Sequence, residues 1–473
     1  NTGELMIILG TNSIKDTGYD VANSAIWNRA DSAYMDRTFS SAGNRDKWTY
    51  SLWVKKCKNG VEQRLLTTSD NATFDDNIRF NSDDTFTIIC NNAVVLKTNR
   101  VFRDPSAWLH ICVIWDSGNS TSGDRCQLFV NGTRETSFST ESYPSQNQDS
   151  FINNNTRHYI GVTNVTANSH FFDGYLTEIV FQNDSADSPV DKFGEFDEDT
   201  PTIFKPINVS GLTFGTNGFY LDFEDSSALG NDVSGNNNDF SLTNFAATDQ
   251  NTDTCTNNAC TLNPLFPNSG LTFSEGNLNV VASDANYRHA VSSMAVQSGK
   301  WYAEFKAVSG FSSVDKNVGI YRTDNAYSAT TGLGNYTTGT TWCYGATGNV
   351  RTNNSNNDTG EATFTNGDII SIAMDLDNNK LYFAKNNSWI NSGDPTSGST
   401  GTGAYAIVAG NFYHFAVTTI SSGGAALWSC NFGSPAYSVS SPQSDANGFG
   451  SFSYAPPSGY LSLCSKNLGS DGG

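Results

Sequence analysis

The sequence predicts an all-β protein made of two antiparallel β-sandwich, or jelly-roll, domains in tandem. Aromatic residues reach 12% and charged residues only 16%, a composition that favours strands with an uncharged polar surface. Short segments in which apolar and polar residues alternate recur between Gly, Asn, Asp and Ser turns, as half-buried strands require. The chain has 473 residues, too many for a single hydrophobic core, so we expect at least two domains.

The balance of charge argues against two classes of partner. A formal net charge of −20 disfavours nucleic acids, which bind through clustered Lys and Arg. No apolar run approaches the roughly 20 residues that cross a bilayer, so membrane insertion is not expected. The short apolar run at 5–9 is interpreted as a strand within an N-terminal strand or arm at 1–19.

The first half shows strand patterns from about residue 47 to 182. Residues 48–54 alternate with a period of two, and residues 127–130 run into Asn131-Gly132, a strong hairpin signal. Further predicted strands lie at 85–90, 93–97, 108–115, 158–162 and 175–182.

Four motifs in this half occur in a family-specific order, at 51–54 (Ser-Leu-Trp-Val), 108–113 (Trp-Leu-His-Ile-Cys-Val), 128–132 (Leu-Phe-Val-Asn-Gly) and 172–179 (Phe-Asp-Gly-Tyr-Leu-Thr-Glu-Ile). Together they resemble the laminin-G-like or pentraxin-like branch of the concanavalin A-like jelly rolls. We therefore place a laminin-G-like sandwich at 20–185.

The alternating pattern of apolar and polar residues is interrupted at 186–265. We interpret this segment as an acidic and polar connector carrying one or two strands. A strand-like segment lies at 218–223. Cys255 and Cys260 share one polar loop and are the candidate pair for a local disulfide, whereas the other cysteines are expected to be buried thiols. A zinc site is not expected, because no histidine lies at ligand spacing from this pair.

The second half is predicted to form a sandwich at 266–466, followed by a tail at 467–473. Residues 300–305 form a strand with one aromatic-rich face, and 368–376 and 381–385 flank a turn at 377–380. The last predicted strands are 413–420 and 427–432.

Motifs of the second half resemble the SPRY domain, itself a bent β-sandwich. They occur in the family's order at 299–304, 318–320, 366–370, 374–377, 381–386 and 431–433. The chain combines a laminin-G-like module with a following SPRY-like module, and this arrangement is similar to virion proteins of marine bacteriophages. The sequence segments at 41–48 and 211–220 strengthen this resemblance. This resemblance implies an extracellular location on the virion surface, with other virion proteins and further copies of the chain as partners.

Catalytic groups are not evident in the sequence. Glu195, Asp197 and Asp199 alternate, but they lie past the last laminin-G-like strand rather than on a central strand, so a solvated turn is expected instead of a glycosidase pair. No Gly-x-Ser-x-Gly nucleophile elbow is present. Structural roles are expected for the five histidines, at 110, 158, 170, 289 and 414.

Calcium is the one candidate cofactor, because many relatives in the resembled family bind it through loop carbonyls and carboxylates. The family's ligand position at the start of the final strand is occupied here by Thr177, followed by Glu178, which disagrees with that pattern. Asp173 is the alternative candidate ligand, although a tight turn explains it equally well.

Glycan binding would use aromatic faces together with Asn and Asp side chains. The leading candidates are Trp342 and Tyr344, beside a Gly-rich loop, and Trp389, after the second hairpin. Tyr327 and Tyr336, in a long loop, are weaker candidates, and each of the five could instead be a packing residue.

The favoured hypothesis is a non-enzymatic virion protein of the tail-fibre or head-fibre type that binds a host-surface glycan or envelope component. Weak single sites would suffice if many copies act together. The alternative is a capsid or appendage decoration protein that binds no glycan. The third hypothesis is a polysaccharide depolymerase.

Overall fold

The computed structural model describes residues 18–471 except 70–72, 165, 167–168, 191, 199, 268, 312–315 and 422. Most of the predicted N-terminal arm, 1–17, therefore lies outside the described residues. The chain divides into two compact units between Asn258 and Ala259, called here the first and the second unit.

The first unit consists of short antiparallel strands with three 3-10 turns, at Arg29–Asp31, Ser122–Asp124 and Ala247–Asp249. The strands are β1 (Ser24–Trp27), β2 (Tyr34–Thr38), β3 (Lys47–Lys56), β4 (Gln63–Ser69), β5 (Asp75–Phe80), β6 (Thr85–Cys90), β7 (Ala93–Val101), β8 (Leu109–Asp116), β9 (Cys126–Val130), β10 (Thr133–Arg134), β11 (Phe138–Glu141), β12 (Arg157–Ile160), β13 (Gly174–Asn183), β14 (Gly194–Phe196), β15 (Phe204–Pro206), β16 (Phe219–Leu221), β17 (Ser241–Thr243) and β18 (Gln250–Asn251).

Two sheets form the sandwich of the first unit. One has the order β10-β9-β8-β3-β13-β1-β18, with β16 also paired to β13, and the other has the order β11-β7-β6-β5-β4-β12-β2-β17. β14 and β15 form a separate hairpin. The predicted turn Asn131-Gly132 joins β9 to β10, and both residues have positive φ, which Asn and Gly tolerate.

Alternation along the central strands builds the core of the first unit. Trp48, Tyr50 and Leu52 of β3 lie opposite Trp115, Val113 and Ile111 of β8 and are almost fully buried. Because side chains alternate along a strand, these pairs all point to the same face, towards the second sheet.

Most of the predicted connector belongs to the first unit. β16 and β18 pair with strands of one of its sheets, and β17 pairs with a strand of the other. Phe193, Phe214 and Tyr220 pack on Ile114 and Val180, so this segment covers the outer face of one sheet. The apolar residues of 186–258 thus have a packing role, and the unit boundary lies at Asn258 instead of at the predicted ends 185 and 266.

The second unit is also a sandwich, and its 3-10 turns are Ile390–Ser392 and Pro395–Thr400. One sheet has the order β19-β20-β32-β22-β27-β28-β29, with β30 beside β28 and β33 parallel to β22, and the other has the order β21-β31-β23-β24-β25-β26. The strands are β19 (Leu271–Ser274), β20 (Asn279–Ala282), β21 (Arg288–Val291), β22 (Lys300–Ser309), β23 (Asn317–Arg322), β24 (Thr341–Gly345), β25 (Val350–Thr352), β26 (Ser355–Asp358), β27 (Ile369–Asp375), β28 (Lys380–Lys385), β29 (Ser388–Trp389), β30 (Tyr405–Ala406), β31 (Tyr413–Thr419), β32 (Leu427–Asn431) and β33 (Leu461–Ser462).

The predicted all-β fold of antiparallel sandwiches is confirmed. The predicted tail at 467–473 is corrected. Residues Ser465–Asp471 form helix α1, and Leu468 packs into the core of the second unit. No helix in the described part of the chain has the length and apolar character to span a bilayer.

Candidate functional site

The two leading aromatic candidates are core residues. Trp342 and Tyr344 lie two positions apart on β24, so both point into the sandwich. Trp342 is 8% exposed, with its ring centroid 5.5 Å from that of Tyr405, and Tyr344 is fully buried. This corrects their assignment as ligand contacts, because neither ring offers an open face.

The loop between β23 and β24 instead contains a cleft of about 510 Å³, within the range of small-molecule sites. We call it the 323–340 cleft. Tyr327 and Tyr336, the weaker sequence candidates, both line it. Its other lining residues are Arg322, Asp324, Asn325, Ala326, Ser328, Thr331, Asn335, Thr337, Thr338 and Thr340.

Packing on the outer face of the six-stranded sheet positions this loop. The backbone N–H of Arg322 donates to the Thr340 carbonyl at 3.0 Å and closes the loop at its base. Leu333 and Tyr336 are buried against Tyr321 and Cys343, whose side chains point away from the core. The loop is therefore anchored at its base and its middle.

The tyrosines of the cleft are held by hydrogen bonds. The Tyr327 hydroxyl donates to the Tyr287 carbonyl at 3.2 Å, and its half-buried ring remains partly exposed. The Tyr336 hydroxyl accepts from the backbone N–H of Ser328 at 3.1 Å. Tyr327 is thus the aromatic residue of this cleft best placed to contact a ligand, and Tyr336 forms a wall.

The only charged side chains among the lining residues neutralise each other. The Arg322 guanidinium contacts the Asp324 carboxylate through Nε at 2.5 Å and Nη2 at 3.0 Å. This pairing raises the pKa of Arg322. A two-point contact of this kind occupies the donors with which Arg would otherwise bind an anion. The cleft therefore offers a ligand mainly neutral polar groups.

Two amide atoms of the cleft wall lack partners within the described residues. Asn325 Nδ2 and Asn335 Oδ1 are covered from solvent and form no hydrogen bond in the part of the chain that the structure describes. One is a donor and the other an acceptor, and such buried groups are rare in native proteins. Sequence reasoning missed both, because Asn is too abundant here for any one to stand out.

Trp389 lies at a different cleft of the second unit, of about 490 Å³. Its half-buried ring packs edge-on against Tyr382. Burial raises the pKa of Glu361, whose Oε1 accepts from the Asn391 backbone N–H at 2.9 Å. Lys385 also lines the cleft, but its Nζ is bonded to the Thr363 carbonyl and to Asp368. We call this the Trp389 cleft.

In the described part of the chain, the calcium candidate Asp173 is not part of a cluster of His, Cys, Asp or Glu side chains that could hold a metal. Asp173 is buried, and burial raises the pKa of its carboxyl to about 6. Within the described ranges, no group of three or more His, Cys, Asp or Glu side chains is arranged to hold an ion.

The proposed disulfide is also corrected. Cys255 and Cys260 form no disulfide in the structure, and both are buried, one in each unit. Cys260 belongs to the hydrophobic core of the second unit, and its Sγ lies 3.5 Å from Ser293 Oγ. The two thiols are thus packed in separate surroundings, although only five positions separate them in the sequence.

Glu195 and Asp197, two of the three alternating carboxylates after the last laminin-G-like strand, form ion pairs. Lys205 Nζ lies 3.3 Å from Glu195 Oε1 and 3.7 Å from Asp197 Oδ2 on the β14–β15 hairpin, and Asp199 lies outside the described residues. Glu195 and Asp197 thus share one ammonium group as their partner.

Four histidines are buried in packed surroundings, and burial lowers their pKa to about 3 for His110 and about 4 for His158, His289 and His414. The fifth, His170, has a partly exposed side chain 3.8 Å from Glu62.

Comparison with known families finds a match within the first unit. Residues 29–188 match the model of the concanavalin A-like lectin/glucanases superfamily, Laminin_G_3. The match covers about a third of the chain and agrees with the predicted laminin-G-like sandwich. A search of curated proteins finds no match for this chain.

Solved structures similar to parts of the chain include SPRY domains and a pentraxin. The SPRY domain of human HERC1 is 19% identical, covering 36% of this chain and 96% of that chain with a TM-score of 0.28. A human SPRY domain is 13% identical, covering 34% and 94%, with a TM-score of 0.27. The native heptameric SAP-like pentraxin of Limulus polyphemus is 13% identical, covering 36% and 80%, with a TM-score of 0.28.

Proposed function

We propose that this protein binds glycans without catalysing their cleavage and that it does so on a virion surface, as part of a tail or head fibre. The observation that carries the proposal is the 323–340 cleft, where a half-exposed tyrosine lies among asparagine and threonine side chains. Aromatic side chains and amides are the groups that bind sugar rings and their hydroxyls.

Two further observations support the proposal. The first unit matches a superfamily whose description includes lectins. The sequence resemblance to marine bacteriophage virion proteins supports the location, as well as other virion proteins and further copies of this chain as partners. Many copies on one particle would multiply a weak affinity without new contacts.

A glycan array with the full chain, followed by titration calorimetry on the best neutral hit, tests binding. We expect Tyr327→Ala and Asn335→Ala to weaken binding about tenfold, which corresponds to about 1.4 kcal/mol. Trp389→Ala is the matched control, because it removes an aromatic residue from the other cleft. No binding by the wild type, or loss of binding only in Trp389→Ala, would reject the 323–340 cleft as the site.

Two measurements test the remaining parts of the proposal. Incubation with host polysaccharide should release no new reducing ends, and their appearance would show a depolymerase. Imaging of labelled particles should place the protein on a tail or head fibre. A position within the capsid lattice would favour the decoration protein.

A further inference from the structure

An exposed aromatic ring lies beside the base of the 323–340 cleft. Phe412 directly precedes β31, and its carbonyl accepts a hydrogen bond from the backbone N–H of Thr323 at 3.1 Å. The next pair along the ladder joins Tyr413 to Arg322, which lines the cleft. Phe412 is 47% exposed, so its ring is accessible next to the cleft although the two are distant in the sequence.

Alternation along β31 places Phe412 on the same side of the sheet as the cleft. Tyr413 and Phe415 belong to the core of the second unit, whereas Ala416 packs with Tyr321 on the outer face. Because successive side chains point to opposite faces, Phe412 also points outward. The exposed ring and the 323–340 loop therefore share one surface.

Tyr327 lies towards the other end of β31. Its hydroxyl donates to the carbonyl of Tyr287, and the next residue, Arg288, pairs with Thr419 at the end of β31. β31 has seven residues, and at about 3.3 Å per residue it is about 20 Å long. The half-exposed ring of Tyr327 and the exposed ring of Phe412 thus flank the cleft from opposite ends.

Hydrogen-bonding groups line the cleft from one end to the other. At the Phe412 end, the Asp324 side chain is 59% exposed and is held by Arg322, so its carboxylate can accept hydroxyl groups while its charge is compensated. At the other end, Thr331 also lines the cleft, and its carbonyl lies 2.8 Å from Nε2 of His289. A ligand that runs along the cleft therefore meets polar groups over its whole length.

The positions of the two rings select the length of the ligand. A single sugar ring can stack on one aromatic ring but cannot reach the opposite end of the strand. A chain of several sugars can stack on both and place its intervening hydroxyls over the polar groups of the cleft. An apolar partner would cover the same surface only by leaving those polar groups unpaired.

We propose that the 323–340 cleft and Phe412 form one extended site for a neutral oligosaccharide, with Tyr327 and Phe412 as stacking platforms at its two ends. This inference rests on the proposed function. It adds the length of the ligand and assigns to Phe412 the preference for a sugar chain over a single sugar.

The experiment measures affinity as a function of ligand length. The full chain is titrated, by calorimetry and saturation-transfer NMR, with β-1,4-linked glucose, galactose and mannose series from the single sugar to the hexasaccharide. Wild-type affinity for the best series should rise at least tenfold over this range. Phe412→Ala should abolish the rise, so that every length binds like the single sugar, and Phe412→Trp should retain it. Tyr327→Ala should weaken binding of the short and the long ligands alike.

Val308 provides the matched control. It is 37% exposed on β22, in the other sheet of the second unit. Val308→Ala removes exposed apolar surface away from the cleft and should retain the full rise in affinity. Phe412→Ala and Val308→Ala should both melt close to the wild-type temperature, because neither residue fills the core.

The possible outcomes separate this inference from the proposed function. Equal wild-type affinity for all lengths, or an undiminished rise in Phe412→Ala, would overturn the inference, and the proposed function would stand if Tyr327→Ala still weakens binding. Loss of binding in Phe412→Ala without any effect of Tyr327→Ala would reject both the extended site and the 323–340 cleft. If the wild type binds none of the three series, the inference is wrong, whereas the proposed function falls only if the glycan array also yields no ligand.

Discussion

The two units differ in how they use the outer faces of their sheets. In the first unit, Phe193, Phe214 and Tyr220 seal one outer face, and the other face holds buried polar side chains such as Asn77. In the second unit, the 323–340 loop packs on an outer face through Leu333 and leaves an open cleft beside it. The comparison teaches that large aromatic residues in this chain mainly close surfaces, whereas the candidate site lies where a loop leaves neutral polar side chains around an open cleft.

The largest loss of stability that can test this comparison is expected from replacing Trp342, the core aromatic residue that the sequence suggested as a ligand contact. Trp342→Ala should lower the free energy of unfolding by about 3 to 5 kcal/mol, because it empties a core position. Tyr327→Ala should lower it by about 1 kcal/mol or less while weakening glycan binding. Urea denaturation followed by intrinsic fluorescence measures both, and equal losses would remove the distinction between core and cleft.

A comparable effect is expected from the buried ion pair of the first unit. Lys55 Nζ contacts Asp253 Oδ2 at 2.7 Å and Asn258 Oδ1 at 2.8 Å, and both charged side chains are at most 1% exposed. Lys55→Met leaves a buried charge on Asp253 and should cost about 3 to 5 kcal/mol in chemical denaturation. A loss below about 1 kcal/mol would contradict this role for the pair.

A smaller effect concerns a buried carboxyl in the first unit. The Tyr220 hydroxyl donates to Glu178 at 2.9 Å, and burial outweighs this contact and raises the pKa of Glu178 to about 8. The unfolded state loses this proton near pH 4.5, whereas the folded state keeps it up to about pH 8. The contribution of Glu178 to stability should therefore fall as pH rises, by roughly 2 kcal/mol between pH 6.5 and 9, and then level off.

The control for this pH dependence is Glu178→Gln, which mimics the protonated carboxyl. The four buried histidines should raise stability over the lower part of this range, because burial holds their folded pKa at about 3 to 4 while their ordinary pKa is 6.5. The Glu178 contribution is therefore measured as the difference between the wild type and the variant, which should change by roughly 2 kcal/mol between pH 6.5 and 9. An unchanged slope in Glu178→Gln would assign the pH dependence to other groups.

The smallest effect should come from the β14–β15 hairpin. Lys205→Ala removes ion pairs to Glu195 and Asp197, whose side chains are 47% and 20% exposed. Exposed pairs contribute little, so a loss of less than about 1 kcal/mol is expected in the same denaturation assay. A loss as large as that of Lys55→Met would show that exposure does not govern these pairs.

Strands with strong alternation were predictable from the sequence. Predicted strands at 48–54, 85–90 and 427–432 correspond closely to β3, β6 and β32. β4 and β5 were not predicted, because their outward positions carry Arg64, Asp75 and Asn77 where a strand pattern favours β-branched or aromatic residues. The sequence pattern thus obscured both strands.

By itself, the sequence determined the all-β class, the two sandwiches and the set of aromatic candidates, because strand periodicity and turn residues are local properties. Only the tertiary structure decided which candidates are accessible. Trp342 and Tyr327 look alike in sequence, but one points into a core and the other lines a cleft. Likewise, the sequence does not show that Asn77 and Asn325 have polar atoms without hydrogen-bond partners, because this depends on atoms that are distant in the chain.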